Sequence, residues 1–497
     1  MSQSRTVNPE KTGLAYWMER ALDRHSKLGE ELSPEVVHDL RVALRRCTLI
    51  ADVMKELDPG GEWKTVRKAG RQLFKQLGEL RDTQALMERI ERLALPGDES
   101  TAMLSESFKA RHEQDRAAAQ KSVKEFDRKK WRAAEKELAS HYRHVVANRR
   151  ACESLVFEMW ESVRDLHRSA QKSRSRIAYH RLRIGLKKFR YGVENFLPSL
   201  YARWAPDLKS LQDLLGEVHD LDVLAQTIAK DKRLSGEART SWQQRLEAER
   251  SPRLQQYHKK MSGKTSHLSI WREALPAERE LRSTGLAQLT EWAHFVTPDL
   301  PSVRRIARLA LQLYDGFSNC KLVSHDLNTD QRFILQAGAV LEEVGRFKKN
   351  KAHHKESYRM IRRFEPPPGW SKRDMELTAL VARFHRRALP RPDHKAFKKY
   401  EPALQQSLVL LAAILRFANA FHAKPYRSVR RLEVENSEGI IIVRATGIPA
   451  TDPVTSKLAE ARRLLEFACH HPIRILAPSI QIAAPYLVRT VEHSDAA

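Results

Sequence analysis

Between Pro9 and about residue 290, apolar residues recur three and four positions apart with little glycine, the spacing of one buried stripe on successive α-helices. At about 100° per residue with His38 at 0°, Arg41 falls near −60° and Arg45 near −20°, while Val36, Leu40, Leu44, Cys47 and Met54 gather opposite. A second stretch behaves alike: Arg176, Arg183, Lys187 and Arg190 share the side of His180, and Ala178, Leu182, Leu186, Phe189, Val193 and Phe196 share the other. Ser33 followed by Pro34 predicts an N-cap and N1 proline for the first of these helices, Asp58-Pro59-Gly60 its end, and Pro198 the end of the second. The charge-rich stretch from Ala110 to Asn148 reads as long exposed helices. A break falls at Thr297-Pro-Asp-Leu-Pro301; helical patterning resumes at Val303 and runs to about His422. Arg431–Glu435 and Gly439–Val443 then alternate like a hairpin, and a helix over Ser456–Cys469 and a short tail follow.

The two basic stretches are copies. His38-Asp-Leu-Arg41-Val-Ala-Leu-Arg45-Arg46 returns as His180-Arg-Leu-Arg183-Ile-Gly-Leu-Lys187-Lys188-Phe-Arg190, and Leu77-Gly78-Glu79-Leu80-Arg81-Asp82 as Leu215-Gly216-Glu217-Val218-His219-Asp220. The offset is 142 residues at the histidines and 138 at the glycines, so a unit of about 140 residues, room for about four helices, occurs twice over about 10–150 and 151–290. The reading is an all-α domain over 1–295, then a mainly helical domain over 300–497 with a small C-terminal β-hairpin.

Charge turns these faces into candidate chemistry. In 497 residues, 88 Lys and Arg oppose 62 Asp and Glu for a formal +26, which calls for an anionic partner or serves solubility. Like charges three and four apart on a helix cost about 0.2–0.5 kcal/mol per pair. Few acidic residues stand on the same faces, so an anion can answer that repulsion, and Arg forks with compact Lys charges suit a repeating phosphate. The scattered Cys47, Cys152, Cys320 and Cys469 read as buried free thiols of a reducing compartment. The first seven residues lack an apolar signal core and no later run approaches about 18 apolar residues, so no membrane span and a cytoplasmic protein are expected.

The paired motifs resemble the CHAD family, named for its conserved-histidine α-helical domain, over most of residues 10–290. The resemblance implies two four-helix bundles about a pseudo-twofold axis, with basic helices lining a central channel that takes inorganic polyphosphate. Carried over residue by residue, it implies contacts from His38, Arg41, Arg45, Arg46, His180, Arg183, Lys187, Lys188 and Arg190. Arg71 and Lys209, each seven residues before a glycine of the repeated segment, come next. Leu49 stands where a further basic residue is common, and Thr83-Gln84 where the second copy has Leu221-Asp222, so the first face is expected to be weaker. Asp82 and Asp220 read as carboxylates that position arginines, and the histidines as hydrogen-bond donors whose protonation near pH 6 would strengthen binding.

Residues 303 to about 425 resemble the C-terminal HD-type domain of the exopolyphosphatase and guanosine pentaphosphatase family, through Ile306–Asp315, Leu341–Gly345, His353–Tyr358, Ala382–Pro390 and Leu415–Asn419. The ATPase half that precedes this domain in those phosphatases has no counterpart here. At the positions where an HD hydrolase carries His, His-Asp and Asp, this chain has Ser302, Glu342-Glu343 and Asn419, so a working HD metal centre is not expected. His353, His354 and His385 are left to join Lys351, Arg359, Arg386 and Arg387 in an anion site or to pack within the core. The expectation is a non-enzymatic polyphosphate-binding protein with no cofactor, at polyphosphate granules. The alternative is a phosphohydrolase using an altered site at Glu342, Glu343, His354 and His385. Charge also permits nucleic acid, but aromatic residues are only 7% and are not interleaved with the basic faces, which disfavours base stacking.

Overall fold

A computed structural model describes residues 13–28, 32–320, 328–387, 389–391, 393–448 and 455–477. The predicted start at Pro9, the N-terminal reading and the tail after residue 477 lie outside them. The described residues form two compact units, one within Met1–Val296 joined by Glu365–Lys372, the other within Thr297–Phe364 and Arg373–Ala497.

The first unit is wholly helical: α1 (Leu14–Ser26), α2 (Pro34–Leu57), α3 (Trp63–Leu93), α4 (Glu99–Glu125), α5 (Arg128–Ala147), α6 (Arg149–Ser173), α7 (Arg176–Phe196), α8 (Pro198–Lys230), α9 (Gly236–Met261), the short α10 (His267–Glu273) and α11 (Glu278–Val296). Helices α1 to α4 pack in series and α5 returns along α1; α6 to α9 repeat the series and α11 returns along α6. Each copy therefore holds four serial helices and a fifth that closes back on the first. The amphipathic stripes behave as patterned: α2 buries Leu40, Leu44, Cys47 and Met54, with Val37 rather than Val36 fully covered, and α7 buries Leu182, Leu186, Phe189, Val193 and Phe196. Pro34 opens α2 as expected, but the Ser33 side chain makes no capping bond; in the second copy Ser175 does cap, accepting from the Ala178 N–H at 3.2 Å.

The second unit contains α12 (Leu300–Cys320), α13 (Thr329–Leu341), α14 (His353–Arg363), α15 (Lys372–Arg383), α16 (Pro402–Ala420) and α17 (Ser456–Cys469), with strands β1 (Arg431–Ser437), β2 (Ile440–Thr446) and β3 (Ile473–Leu476). The β1–β2 hairpin turns through Glu438 and Gly439, both at positive φ, as a tight two-residue reversal requires. The residues after α17 add β3, parallel to β2, so the sheet has one strand more than the hairpin read from the pattern. Helix α16 corrects the expectation that no run is apolar enough to span a bilayer: it passes by length and hydropathy. Two-thirds of that window is buried among α12, α13 and α17, the environment of a core helix. All four cysteines are free, and only Cys320 is partly exposed.

Candidate anion-binding site

The repeat places its two basic helices side by side, since α2 packs on α7. Arg45 of α2 lies close enough to lower the protonation of Arg41 on its own helix and of Arg183 and Lys187 on α7. Lys187 shows this most: burial first, then Arg183 and Arg45, bring its ammonium down from 10.5 to about 6. Arg41 and Arg183 are likewise lowered, by burial first and then by neighbouring arginines, against the opposing pull of Asp82 and Asp220. Asp82 sits 3.7 Å from Arg41, and Asp220 of α8 sits 3.7 Å from Arg89 of α3, a pairing across the repeats. Neither the Arg183 nor the Lys187 side chain makes a hydrogen bond or an ion pair within 4.0 Å among the described residues, and the buried Nε of Arg41 and of Arg183 has no partner. These are cationic donors held out of water and left short of acceptors.

Aromatic rings hold the guanidinium planes. Arg41 and Arg45 lie 6.0 and 5.5 Å from the Phe74 ring, and Arg45 Nη1 donates to the Tyr191 hydroxyl at 3.2 Å. Arg190 is tethered to Gln212 at 3.0 Å and lies 5.7 Å from Tyr191. His180 and His219 meet at 3.2 Å between their Nδ1 atoms, so one must be neutral to accept. Burial and Arg183 push both below the usual imidazole value, His219 to about 4. His38 is lowered too, by burial and then by Arg41, Arg81 and Arg45, against Asp39. The expected protonation near pH 6 is thereby displaced to more acidic pH in the free protein.

Other sequence candidates fall elsewhere. Arg46 sits about 80° from His38 on the helix, off the basic row. Its Nε and Nη2 grip both oxygens of Glu194 at 3.0 and 2.7 Å, it is only 8% exposed, and its guanidinium lies 4.2 Å from the Trp17 ring. It is a buried clasp between the repeats. Lys188, its counterpart, is exposed beside Glu158, whose carboxyl burial raises to about 7, at the edge of a cavity of about 250 Å³. Arg71 is exposed on α3, and Lys209 pairs with Asp213 at 2.5 Å on α8; both flank the face of the repeated glycines. Arg81 and His219, at equivalent places three residues past each glycine of the repeated segment, join the site as well, Arg81 near His38 and His219 against His180; their i,i+3 spacing from the glycines is the sequence signal for them.

In the second unit a cavity of about 320 Å³ gathers Ser302, Glu342, Glu343 and Asn419 with Arg346, Asn350 and His422. Asn419 donates to Glu342 at 2.7 Å, and burial raises the Glu342 carboxyl to about 8. His353 and His385 turn to Glu343, with Nε2 atoms 3.1 and 3.6 Å from its Oε1. His354, its ring 6.1 Å from that of His353 and 6.5 Å from that of His385, is not one of the donors that gather within 4.8 Å of one another. Of the four bases expected around these histidines, Arg386 comes to 3.5 Å of His353 Nε2, while Arg359 pairs with Glu356 at 2.8 Å.

Comparison with known families agrees with both halves. Residues 18–229 match the CHAD domain, and residues 281–439 match domain III of the Ppx/GppA phosphatases. The chain joins a CHAD domain to a Ppx/GppA domain III. No curated protein matches it. The CHAD match begins in α1 and stops near the end of α8, so it contains both basic helices and both Leu-Gly-Glu segments. The domain III match begins within α11, a helix of the first unit, and runs through α16 into the hairpin.

Proposed function

We propose that the CHAD domain binds inorganic polyphosphate through His38, Arg41, Arg45, His180, Arg183, Lys187 and Arg190, with Arg81 and His219 beside them and Arg71 and Lys209 at the margin. The observation that carries this reading is the convergence of Arg41 and Arg45 with Arg183 and Lys187 at the cost of mutual repulsion. A polyanion relieves that repulsion and supplies acceptors for the unpartnered N–H groups; a sequence of evenly spaced phosphates can meet both helices at once. Both matched families belong with phosphate-polymer and nucleotide-phosphate chemistry, which supports the same partner. Holding rather than hydrolysing is the proposed role, with the protein at polyphosphate granules. The competing hydrolase reading needs Glu342, Glu343, His354 and His385 together, and the donor group that closes around Glu343 takes His353 and His385 and not His354, while Glu342 is bonded to Asn419.

Arg41→Gln with Arg183→Gln is expected to weaken long-chain polyphosphate binding by about 100-fold or more, two lost charge-assisted contacts of about 1.5–3 kcal/mol each. The measurement is a titration at several salt concentrations, with single-stranded nucleic acid as competitor and circular dichroism to check folding. A folded double variant that retains polyphosphate at moderate salt would sink the assignment, and so would displacement by nucleic acid at equal charge.

A further inference from the structure

We propose that Glu343, His353 and His385 form a binding site for one divalent transition-metal cation of the zinc type, with a coordination position open to the neighbouring cavity. The hydrogen bonds behind the imidazoles decide which nitrogen faces the site. His385 Nδ1 lies 2.6 Å from the Ala382 carbonyl oxygen and His353 Nδ1 lies 3.2 Å from that of Asn350. A carbonyl only accepts, so each Nδ1 carries a proton and donates it, which leaves each Nε2 to present its lone pair in the neutral ring. Both Nε2 atoms then face the same carboxylate oxygen, Glu343 Oε1, at 3.1 and 3.6 Å, and the three donor atoms all lie within 4.8 Å of one another.

Three lone pairs converging on one point repel unless a cation stands between them. Bonds of about 2.0–2.2 Å from a tetrahedral ion to nitrogen and oxygen place neighbouring donors about 3.3–3.6 Å apart; the two nitrogen–oxygen separations here, 3.1 and 3.6 Å, need only a few tenths of an ångström of adjustment to meet that spacing. Two imidazoles and a carboxylate select zinc-like ions over magnesium or calcium, which prefer all-oxygen shells. Arg346 bonds Glu343 through the other oxygen, Oε2, and so orients the carboxylate without occupying Oε1. Arg386 Nη1 lies 3.5 Å from His353 Nε2 and must yield when the cation binds. It then stands beside the open position as a partner for an anionic oxygen. His353 and His385 are deeply buried, while Glu343 also lines the cavity with Arg346 and Asn350, which gives the fourth position access. Of the degenerate motif only Glu343 belongs to this donor set; Ser302, Glu342 and Asn419 are not part of it, and the two imidazoles come from α14 and from just past the end of α15.

The test uses the full chain, stripped with a chelator, titrated with Zn²⁺ and separately with Co²⁺. Retained metal per chain, the visible spectrum of bound Co²⁺ and the thermal midpoint are the readouts. About one equivalent is expected, with a visible Co²⁺ band and a midpoint that rises with metal. Glu343→Gln, His353→Ala and His385→Ala should each weaken retention at least tenfold, whereas His354→Ala should not. Glu343→Gln exchanges one oxygen for an amide nitrogen on a half-buried side chain, so it remains informative should a buried-histidine variant fail to fold. A wild-type chain that retains no metal and gives no Co²⁺ band overturns the site, as does retention unchanged by Glu343→Gln. The Arg41→Gln/Arg183→Gln chain should hold metal like wild type, so failure of the polyphosphate reading and of this one are separable.

Discussion

An ammonium pressed among arginines has a definite titration signature. Lys187 holds its proton only below about 6 in the folded protein, against 10.5 ordinarily. Between those values the unfolded chain binds a proton that the folded chain does not, so this group makes stability rise with pH from about 6 to 10.5. A bound polyanion acts the opposite way, drawing the proton back. Polyphosphate binding at pH 7.5 is therefore expected to take up about one proton and to tighten as pH falls toward 6. Lys187→Met should raise the thermal midpoint of the free protein, weaken binding about tenfold, one lost charge-assisted contact of about 1.4 kcal/mol, and remove the uptake. Calorimetry in buffers of different ionisation enthalpy measures that uptake; an unchanged value in Lys187→Met would show that another group titrates. The sequence located Lys187 but could not foresee this, because the depression comes first from burial in the fold, then from Arg183, with Arg45 of the other repeat adding to it. Arg46 failed for the same reason in reverse: adjacent to Arg45 in the chain, it turns to Glu194, 148 residues away.

Helix by helix, periodicity carried most of the fold. The stripes of α2 and α7 and the bounds of α17 follow directly from the pattern, whereas β3 is four residues long and gains meaning only from its pairing with β2. The mid-helix glycines needed the structure to explain them. A Cβ on Gly78 would touch Arg41 Nη2 at 3.6 Å, and one on Gly216 would meet nothing within 4 Å. Gly216 shares its face with His219 and Asp220, one turn on, so its missing side chain leaves room beside the proposed ligand path. Gly216→Ala should stabilise α8 by about 0.5–1 kcal/mol with binding little altered. Gly216→Leu should keep the fold and weaken polyphosphate binding tenfold or more, seen by titration alongside thermal unfolding. Equal binding by the Leu variant would place the polymer elsewhere.

At the level of the whole chain, the domain boundary is less simple than a cut near residue 297. The segment Glu365-Pro-Pro-Pro-Gly-Trp-Ser-Lys372, 68 residues past that cut, belongs to the first unit. Trp370 donates its indole N–H to the Arg282 carbonyl at 2.9 Å, the Arg282 guanidinium lies 5.1 Å from its ring, and the ring occupies the space that a side chain on Gly285 would need. Only a residue without a Cβ at 285 admits the indole so closely, and no local pattern announces a partner 85 residues away. Trp370 is 7% exposed, so Trp370→Ala should cost about 3–5 kcal/mol. The loss should appear in the unfolding of the first unit and not in the second, which denaturation followed by amide exchange in α11 and α16 would separate. A chain ended before residue 365 should show the same loss in α11 while still binding polyphosphate at low temperature, because the Trp370 contacts with Arg282 and Gly285 are to α11 and the proposed site is on α2 and α7. Protection of α11 that survives both changes would make the segment a passenger on the first unit and return the boundary to residue 297.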